Sequence, residues 1–439
     1  MEPASSGLEY LALHPFVCAT VQDKIKGTVI GSALGDCIGL YTAWTDDTDH
    51  ALLIVLSYLR HNGKKLSPKD VAQRLHVWVE QGLRCLDRPP CGLGATVGTV
   101  VRSIGYLDNP AQAAYNCWVK SNRHVAPNGS VMRTHPLGII CLASTLPEAF
   151  QAAAELSSIT HADPRCIVSC CAVTGLIRGI LRGEVLNEGN VDEMIGEAFA
   201  WADEWVQRRA RGAAGLDCTP EENELHQQGA MLEMNEYTRH AKATSFKELE
   251  LDDSQKMGYV YKTFGAAILA LRLGMRQTGD ELKEGRSDDG AAKSPPHAAF
   301  EKVITELTFE GGDADTNACV AGALLGCWFG YNSLPPQWRD GMVHLDWMVG
   351  KSEALSQIVG VETSSVGLGQ RPRYQGSCDP DTAIDGGKGL LSAKELKQRD
   401  RDFLYRCLLN SKEAEEQEKG LEAAERMGMF TKLKELLSK

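Results

Sequence analysis

The chain has 439 residues, of which 43% are hydrophobic and 24% are charged, and its formal net charge at pH 7 is −12. This composition is typical of a globular protein, with room for one large domain or a few modest ones. The acidic balance excludes a protein whose main work is to grip nucleic-acid backbones nonspecifically, because that affinity needs a basic surface.

The N-terminal segment and the cysteines indicate a soluble protein of a reducing compartment. The first residues, MEPASSGLEYLALHPFV, lack a basic segment followed by an apolar one, and no stretch reaches about 18 uninterrupted apolar residues. Fourteen cysteines are spread along the chain without a CxxC pair, and many lie in apolar runs such as CIVSCCAVTGL. We therefore expect buried, reduced thiols in a cytoplasmic or nuclear protein that makes no membrane contact.

Helical periodicity dominates the chain, and almost no segment shows the alternating pattern of a strand. Three helices are predicted to start at a capping residue followed by proline, at Ser67-Pro68, Asn109-Pro110 and Asp163-Pro164. These patterns predict an all-α fold, a compact bundle of many helices.

Two segments carry glycine at every fourth position. The first contains Gly27, Gly31, Gly35 and Gly39, and the second contains Gly322, Gly326 and Gly330. Residues four apart lie along one ridge of a helix, so each segment offers a groove without side chains. The spacing predicts two central helices that pack very closely. A membrane-dimer stripe is the alternative, and it fails because neither segment is long and apolar enough to span a bilayer.

Two clusters rich in aspartate precede apolar helices. The first is Thr45-Asp46-Asp47-Thr48-Asp49-His50, and the second is Gly311-Gly312-Asp313-Ala314-Asp315-Thr316-Asn317. Helix capping explains part of this pattern, because Thr and Asp are good N-cap residues and carboxylates are favoured at helix N-termini. Capping needs only one acceptor, however, and carboxylates that are brought together without a partner repel one another. Oxygen donors without histidine or thiolate suit Mg²⁺ or Mn²⁺ better than zinc.

These clusters form part of an ordered set of motifs that resembles the ADP-ribosylglycohydrolase family. The motifs are GTVIGSALGDCIG, TDDT, NGSVMRTHPLG, THADP, GYVYKTFGAAI and GGDADTNACVAGALLG. The resemblance covers roughly residues 24–350 and leaves residues 1–23 as an N-terminal extension. It implies an all-α bundle with a two-metal site at helix N-termini and a hydrolase that removes ADP-ribose from modified protein side chains at the C1″ bond.

The resemblance also implies a ligand set and a reaction. Two ions, usually Mg²⁺ with Mn²⁺ as an alternative, would hold the hydroxyls of the distal ribose and position a water or the scissile bond. Asp47 or Asp313 would help to orient or deprotonate the attacking water. The implied metal ligands are Thr45, Asp46, Asp47, Asp313, Asp315 and Thr316.

Further positions match the family's ligand-binding motifs. Asn128, Gly129 and Ser130 match a loop that touches the ribose and phosphates, although Asn-Gly alone is a common turn. His161 of the THADP motif is implied to bind the ligand, although a lone histidine is more often structural. Tyr259 matches an aromatic residue that can stack on adenine, with Tyr261 as the competing candidate and core packing as the alternative for both.

Three regions appear peripheral by composition. Residues 206–257 are charged and are expected to form exposed helices or an insertion. Residues 276–298 have the polar composition of a disordered loop. Residues 351–391 are interpreted as a linker, and residues 392–439 as a charged helical tail.

The sequence departs from the family between Gly39 and Thr45. Relatives carry a longer loop with an acidic residue there, whereas this chain has only Leu-Tyr-Thr-Ala-Trp. Two hypotheses stay open: a metal-dependent hydrolase, or a catalytically impaired relative that binds ADP-ribose or is inert. The expected partners are ADP-ribosylated proteins or small molecules that contain ADP-ribose, the expected state is a monomer, and arginine, serine, polymer and O-acetyl-ADP-ribose linkages stay open.

Overall fold

The computed structural model describes residues 7–40, 43–213, 232–284, 297–361, 374–406 and 409. Within these ranges the chain forms α-helices and short 3-10 turns with no strand, which confirms the all-α prediction. The α-helices are α1 (Pro15–Leu40), α2 (Asp46–Arg60), α3 (Pro68–Gln81), α4 (Ala95–Val101), α5 (Pro110–Lys120), α6 (Pro136–Ile140), α7 (Leu146–Ser158), α8 (Pro164–Arg182), α9 (Glu188–Ala213), α10 (Met234–Ala241), α11 (Val260–Glu284), α12 (Ala298–Phe309), α13 (Ala314–Phe329), α14 (Pro336–Arg339) and α15 (Leu345–Ile358). A further helix covers residues 393–406.

The predicted helix starts form as local capping chemistry requires. The side chains of Ser67, Asn109 and Asp163 accept hydrogen bonds from backbone N–H groups in the first turns of α3, α5 and α8. A proline follows each cap at the first helical position, where a missing N–H removes no helical hydrogen bond. These three predictions are confirmed.

Helices α1 and α13 pack against each other along their glycines. A Cβ atom at Gly31 would lie 2.5 Å from the carbonyl oxygen of Gly322, and one at Gly35 would lie 1.9 Å from that of Ala318. Side chains at these positions would overlap the backbone of the opposite helix. The close approach predicted from the glycine spacing is confirmed, and it sets the distance between the two helices that carry the site.

Helix α8 is the apolar centre of the bundle. Its length and composition are those of a helix that could cross a membrane, but 94% of the relevant window is buried inside the body. The helix contains Cys170 and Cys171, which are fully buried and form no disulfide. No disulfide joins the cysteines of the described residues, and most of these cysteines are buried, as expected. Cys218 and Cys407 lie outside the described residues.

Two peripheral regions contribute more to the body than their composition indicates. Residues 232–258 contain α10, whose Tyr237 is fully buried and stacks on Phe264 of α11. The charged residues of this region therefore lie on the outer side of a packed segment. Helix α11 continues to Glu284, into the segment predicted to be a disordered loop, and residues 285–296 lie outside the described part of the chain.

Residues 374–391 pack against the body, although their composition is that of a linker. Thr382 is fully buried, and its carbonyl oxygen accepts a hydrogen bond of 2.8 Å from Arg74 of α3. Lys351 of α15 forms an ion pair of 2.6 Å with Asp379. The polar, turn-rich composition reflects consecutive 3-10 turns held by these contacts. The helix at residues 393–406 follows, and most of the tail beyond it lies outside the described residues.

Candidate metal and ligand site

The first acidic cluster lies at the start of α2, facing the end of α1. Thr45 precedes the helix in an extended conformation, and Asp46 and Asp47 begin it. All three side chains are buried. Asp36 of α1, itself fully buried, accepts hydrogen bonds from the backbone N–H and hydroxyl groups of Thr45 and Thr48. The α2 start is therefore held against α1 by one carboxylate that the sequence analysis does not assign to the site.

The second acidic cluster lies at the start of α13. Gly311 and Gly312 both have positive φ angles, of 74° and 69°, which favour glycine and turn the chain sharply into the helix. Asp313 occupies the N-cap position, and Asp315 and Thr316 lie in the first turn. Since α1 and α13 cross closely, the second cluster is brought to the end of α1 that faces the first cluster.

The two clusters meet. Carboxylate oxygens of Asp36, Asp47 and Asp315 lie within 4.8 Å of one another. One oxygen of Asp47 accepts from the Thr45 hydroxyl at 3.0 Å, and the other is buried without any hydrogen-bond partner among the described atoms. A buried carboxylate oxygen without a partner is costly, so this atom calls for a cation or a proton.

The raised pKa values of the buried aspartates also indicate that the site needs a cation or protons. Burial, with the charge of Asp36 as the second cause, raises the pKa of Asp46 to about 7. Burial, together with the neighbouring carboxylate of Asp313, raises the pKa of Asp315 to about 7. The pKa of Asp47 lies well above its ordinary value because of burial and the charges of Asp36 and Asp46. Without a cation, these groups retain protons at pH values where exposed aspartates are ionised.

The donor set fits a hard divalent cation. The site offers carboxylate and hydroxyl oxygens, and neither a histidine nor a thiol belongs to the cluster that the described residues form. Oxygen-only sites of this kind suit Mg²⁺ or Mn²⁺. The unpartnered oxygen of Asp47 is an atom that such an ion would satisfy.

A cavity of about 670 Å³ lies above the acidic clusters. Asp46, Asp47, Asp313, Asp315 and Thr316 line it. Asn128, Gly129, His161 and Tyr259 line the same cavity. A volume of this size is ordinary for a small-molecule ligand site. The fold thus brings most of the sequence-predicted residues together around one space.

Two of the predicted residues, Ser130 and Thr45, do not line the cavity. The Ser130 hydroxyl is fully buried and lies 3.0 Å from the Ser157 hydroxyl and 3.4 Å from the Cys170 thiol. The Ser130 side chain therefore packs inside the body, whereas the preceding residues Asn128 and Gly129 line the cavity. The Thr45 hydroxyl is shared between Asp36 and Asp47 and is absent from the cavity lining among the described residues.

Asn128 links the ligand loop to the second acidic cluster. Its side-chain amide donates to Asp313 at 2.8 Å and to the Thr263 hydroxyl at 2.9 Å. Its backbone N–H donates to the carbonyl oxygen of Gly258 at 3.0 Å. A Cβ at Gly258 would lie 3.5 Å from Asp313. Gly258 was missed by the sequence analysis, although it opens the GYVYKTFG motif.

Tyr259 lies at the outer end of the cavity. Its hydroxyl donates to Glu236 at 2.8 Å, and the Arg165 guanidinium lies 5.6 Å from its ring centre. Arg165 is in turn held by Asp163 at 2.8 Å. Tyr261, the competing candidate for adenine stacking, is fully buried and belongs to the core. Neither Glu236 nor Arg165 was singled out by the sequence analysis.

A buried network of hydrogen bonds and one ion pair holds the short connection before Thr45 in place. The Trp44 indole donates to Asp49 at 2.8 Å, and the Trp78 indole donates to the other oxygen of Asp49 at 2.9 Å. Arg88 pairs with Asp49 at 3.3 Å, and its guanidinium lies 4.3 Å from the centre of the Trp44 ring. These contacts fix the residue that precedes Thr45, in the region where relatives are expected to carry an acidic loop.

The all-helical body brings two acidic helix starts together beside one cavity. The sequence profile of the ADP-ribosylglycohydrolase family matches residues 18–364, which is most of the chain. The chain therefore belongs to the ADP-ribosylglycohydrolase family and is a hydrolase. The resemblance identified from the sequence motifs is confirmed.

Similar proteins include distant relatives aligned over most of their length. An ADP-ribosylarginine hydrolase Tri1 from Serratia proteamaculans is 22% identical, over 76% of this chain and 79% of the relative. The ADP-ribosylhydrolase ARH3 from Danio rerio is 23% identical, over 72% of this chain and 85% of the relative. A solved structure of an ADP-ribosylglycohydrolase-related protein complex aligns with 78% of this chain and 99% of that chain, at 19% identity and a TM-score of 0.46.

Proposed function

We propose that this protein is a Mg²⁺-dependent hydrolase that releases ADP-ribose from modified protein side chains. The observation that carries the proposal is the unpartnered, buried oxygen of Asp47, at the point where the two acidic clusters meet beneath the cavity. A divalent cation is the group that satisfies this oxygen and offsets the repulsion between the carboxylates.

The cavity supports a ligand with a sugar at one end and anionic groups further out. Asp46, Asp313 and Asp315 line the cavity, and their carboxylate oxygens would accept hydrogen bonds from the hydroxyls of a ribose. Arg165 and Lys256 line the same cavity and supply positive charge for a pyrophosphate. The names of the relatives, an ADP-ribosylarginine hydrolase and an ADP-ribosylhydrolase, favour the same ligand class.

The reaction adds one water across the C1″ bond. The water oxygen bonds to C1″, the bond to the side-chain nitrogen or oxygen breaks, and the leaving group gains a proton. Asp47 or Asp313 would orient the water and accept its proton. Asn128 donates to Asp313 at 2.8 Å and so fixes the direction in which that carboxylate faces.

Bound Mg²⁺ would supply Lewis-acid polarisation and orientation of the ribose hydroxyls and the water. Asp46, Asp47, Asp313, Asp315 and Thr316 are the lining residues that would hold it, and Thr45 would join them through its hydroxyl. Mn²⁺ has similar ligand preferences and should substitute for Mg²⁺.

A second candidate function is binding of ADP-ribose without turnover. It is favoured by the short connection between Gly39 and Thr45, which contains no carboxylate. The buried Trp44 occupies the end of this connection. In this case the metal site would serve to hold the ribose.

The setting of the enzyme is proposed from charge and cysteine chemistry. We expect the protein to act in the cytoplasm or nucleus, because no disulfide joins the cysteines of the described residues. The monomeric state stays a prediction. The net charge of −12 disfavours nonspecific binding of nucleic acid.

The test is release of free ADP-ribose from ADP-ribosyl-arginine and ADP-ribosyl-serine peptides by purified full-length protein with Mg²⁺. We expect turnover of at least one peptide, at least about 100-fold slower turnover for Asp313→Asn because it removes a charged ligand and a proton acceptor, and wild-type turnover for Asp340→Asn. Asp340 is a matched control because its side chain is 62% exposed. Equal inactivity of wild type and Asp313→Asn, with ADP-ribose binding intact in both, would favour the binding function.

A further inference from the structure

His161 lies at the boundary between two cavities. It lines the main cavity and also a neighbouring cavity of about 280 Å³. Its side chain is 2% exposed, and its Nε2 atom has no hydrogen-bond partner among the described atoms. A Cβ at Gly129 would lie 3.1 Å from this Nε2 atom, so the ring edge faces the ligand loop.

A chain of hydrogen bonds reaches the other nitrogen of this ring from a buried arginine. The Arg133 guanidinium donates to the Thr160 hydroxyl oxygen at 2.7 Å. That hydroxyl oxygen lies 2.7 Å from Nδ1 of His161. All three side chains are buried, with Arg133 fully so.

The direction of the second hydrogen bond follows from the donors available. Arg133 has donors only, so the Thr160 oxygen accepts from it, and the hydroxyl proton remains to be placed. Nδ1 of His161 is the acceptor within reach of that proton among the described contacts of Thr160. The reverse direction would leave a buried hydroxyl proton without an acceptor, which is unfavourable. Nδ1 therefore accepts, and a neutral imidazole carries its proton on Nε2.

Arg133 lacks the partner that usually accompanies a buried cation. Its guanidinium donates to the carbonyl oxygens of Gly129 and Leu156 and to the Thr160 hydroxyl, all of which are neutral. The ionisable groups that interact with its charge are Cys166, Cys170 and Tyr106; burial raises the pKa of each of them, so they are neutral and provide no countercharge. A buried positive charge without a carboxylate favours an anionic group nearby. Burial, together with Arg133, keeps the pKa of His161 well below its ordinary value, so the ring remains neutral.

We propose that Arg133 and Thr160 are positioning residues that fix His161 in its Nε2–H tautomer, as a neutral donor to the pyrophosphate of the bound nucleotide. The inference rests on the proposed ADP-ribose ligand and on the ligand role that the family resemblance implies for His161, and it adds which residues orient that ring. Arg133 has two roles. It orients the Thr160 hydroxyl, which sets the tautomer of His161, and its positive charge lies next to the carbonyl oxygen of Gly129.

The first test reads the tautomer directly. Two-dimensional ¹H–¹⁵N NMR of the histidine rings distinguishes Nδ1–H, Nε2–H and doubly protonated forms, and a His161→Gln variant assigns the signal. We expect the Nε2–H form in the wild type and in Thr160→Ser, which keeps the hydroxyl. In Thr160→Val we expect a mixture of tautomers. A wild-type His161 in the Nδ1–H or doubly protonated form would overturn the inference.

The second test measures binding by calorimetry, with ADP-ribose and with adenosine, which lacks the pyrophosphate. Thr160→Val should bind ADP-ribose about tenfold more weakly than the wild type, and Thr160→Ser within about twofold, because a hydrogen bond to a charged group is partly lost only in the valine variant. Adenosine binding should be unchanged in both variants.

The outcomes separate the inference from the proposed function. Wild-type affinity of Thr160→Val for ADP-ribose would overturn the inference. ADP-ribose binding with the expected variant effects, but without hydrolysis of any peptide, would contradict the proposed hydrolase alone. Failure of the wild type to bind ADP-ribose would contradict both.

Discussion

Asp36 illustrates how one buried carboxylate prepares its neighbours for a cation. Its two oxygens accept from the hydroxyls of Thr45 and Thr48 at 2.9 and 2.6 Å, and from the backbone N–H groups of the same residues. A hydroxyl that donates to Asp36 keeps its lone pairs free for another partner. The proton of the Thr45 hydroxyl thereby points toward the carboxylates of Asp36 and Asp47, and the lone pairs of its oxygen stay available to a cation. Groups behind the direct ligands commonly tune affinity in this way.

Replacement of Asp36 by asparagine should therefore weaken Mg²⁺ binding. The amide offers one acceptor oxygen in place of two and adds N–H donors that oppose those of Thr45 and Thr48. We expect a loss of affinity of about tenfold or more, measured by calorimetry on the metal-free protein. The exposed Asp340→Asn variant should bind Mg²⁺ as the wild type does. Unchanged affinity in Asp36→Asn would show that Asp36 serves packing alone.

At the scale of elements, the crossing of α1 and α13 decides whether the site exists. The glycines let the helix backbones touch, and the end of α1 then reaches the start of α13: a Cβ at Gly39 would lie 2.3 Å from the Cα atom of Asp315. A wider crossing would separate the two acidic clusters. The glycine stripe thus has a functional consequence beyond packing, because it sets the distance between the carboxylates.

Gly35→Ala should test this crossing. A Cβ at this position would lie 1.9 Å from the carbonyl oxygen of Ala318, so the helices must move apart. We expect a loss of about 3 kcal/mol in the free energy of unfolding, at the upper end of ordinary overpacking effects, measured by urea denaturation. Mg²⁺ affinity should fall as well.

The matched control for this variant is Gly196→Ala in α9. Nothing lies within 4 Å of a Cβ built at Gly196. Alanine is favoured over glycine in a helix interior, so this variant should be neutral or more stable by up to about 1 kcal/mol. Equal stability changes for the two alanine variants would contradict the role assigned to the crossing.

At the scale of the whole molecule, local chemistry explains what the sequence could predict. Cap-and-proline starts such as Asp163-Pro164 and the glycine spacing depend on a few adjacent residues, so the helices and their closest crossing could be predicted. The meeting of Asp47 with Asp315 could be inferred only from the resemblance to a family, because it depends on how α1 positions α2 and α13.

Features that depend on distant contacts escaped prediction. The inward turn of Ser130 is set by Ser157, and the packing of residues 374–391 is set by contacts to α3 and α15. The contribution of Arg133 to His161 also depends on a contact across the fold. None of these leaves a pattern of spacing or composition in the chain, since each joins residues that are far apart or reports which way a side chain faces.

The acidic site should make the stability of the whole protein depend on pH and on Mg²⁺ together. In the folded, metal-free protein the pKa values of Asp46 and Asp315 are raised from 3.8 to about 7. The folded state therefore holds protons that the unfolded chain releases, and this stabilisation is present below about pH 4 and lost as pH rises through about 7. Mg²⁺ competes with these protons, so its stabilising effect should grow with pH.

Thermal unfolding with and without Mg²⁺ checks this expectation. The increase in Tm caused by Mg²⁺ should be small at about pH 5 and clearly larger at about pH 8, because the carboxylates are ionised only at the higher pH. Asp315→Asn removes one of the raised groups and should flatten this dependence. A Mg²⁺ effect of the same size at both pH values would contradict the assignment of these carboxylates to the cation.

The most direct test of the central claim is anomalous diffraction from crystals of the full-length protein grown with Mn²⁺. We expect anomalous peaks between the starts of α2 and α13, next to Asp47 and Asp315, and we expect these peaks to be lost in crystals of Asp313→Asn. Crystals without a peak at this position, from protein that hydrolyses ADP-ribosyl peptides in the presence of Mn²⁺, would contradict the claim that the two acidic helix starts form the metal centre.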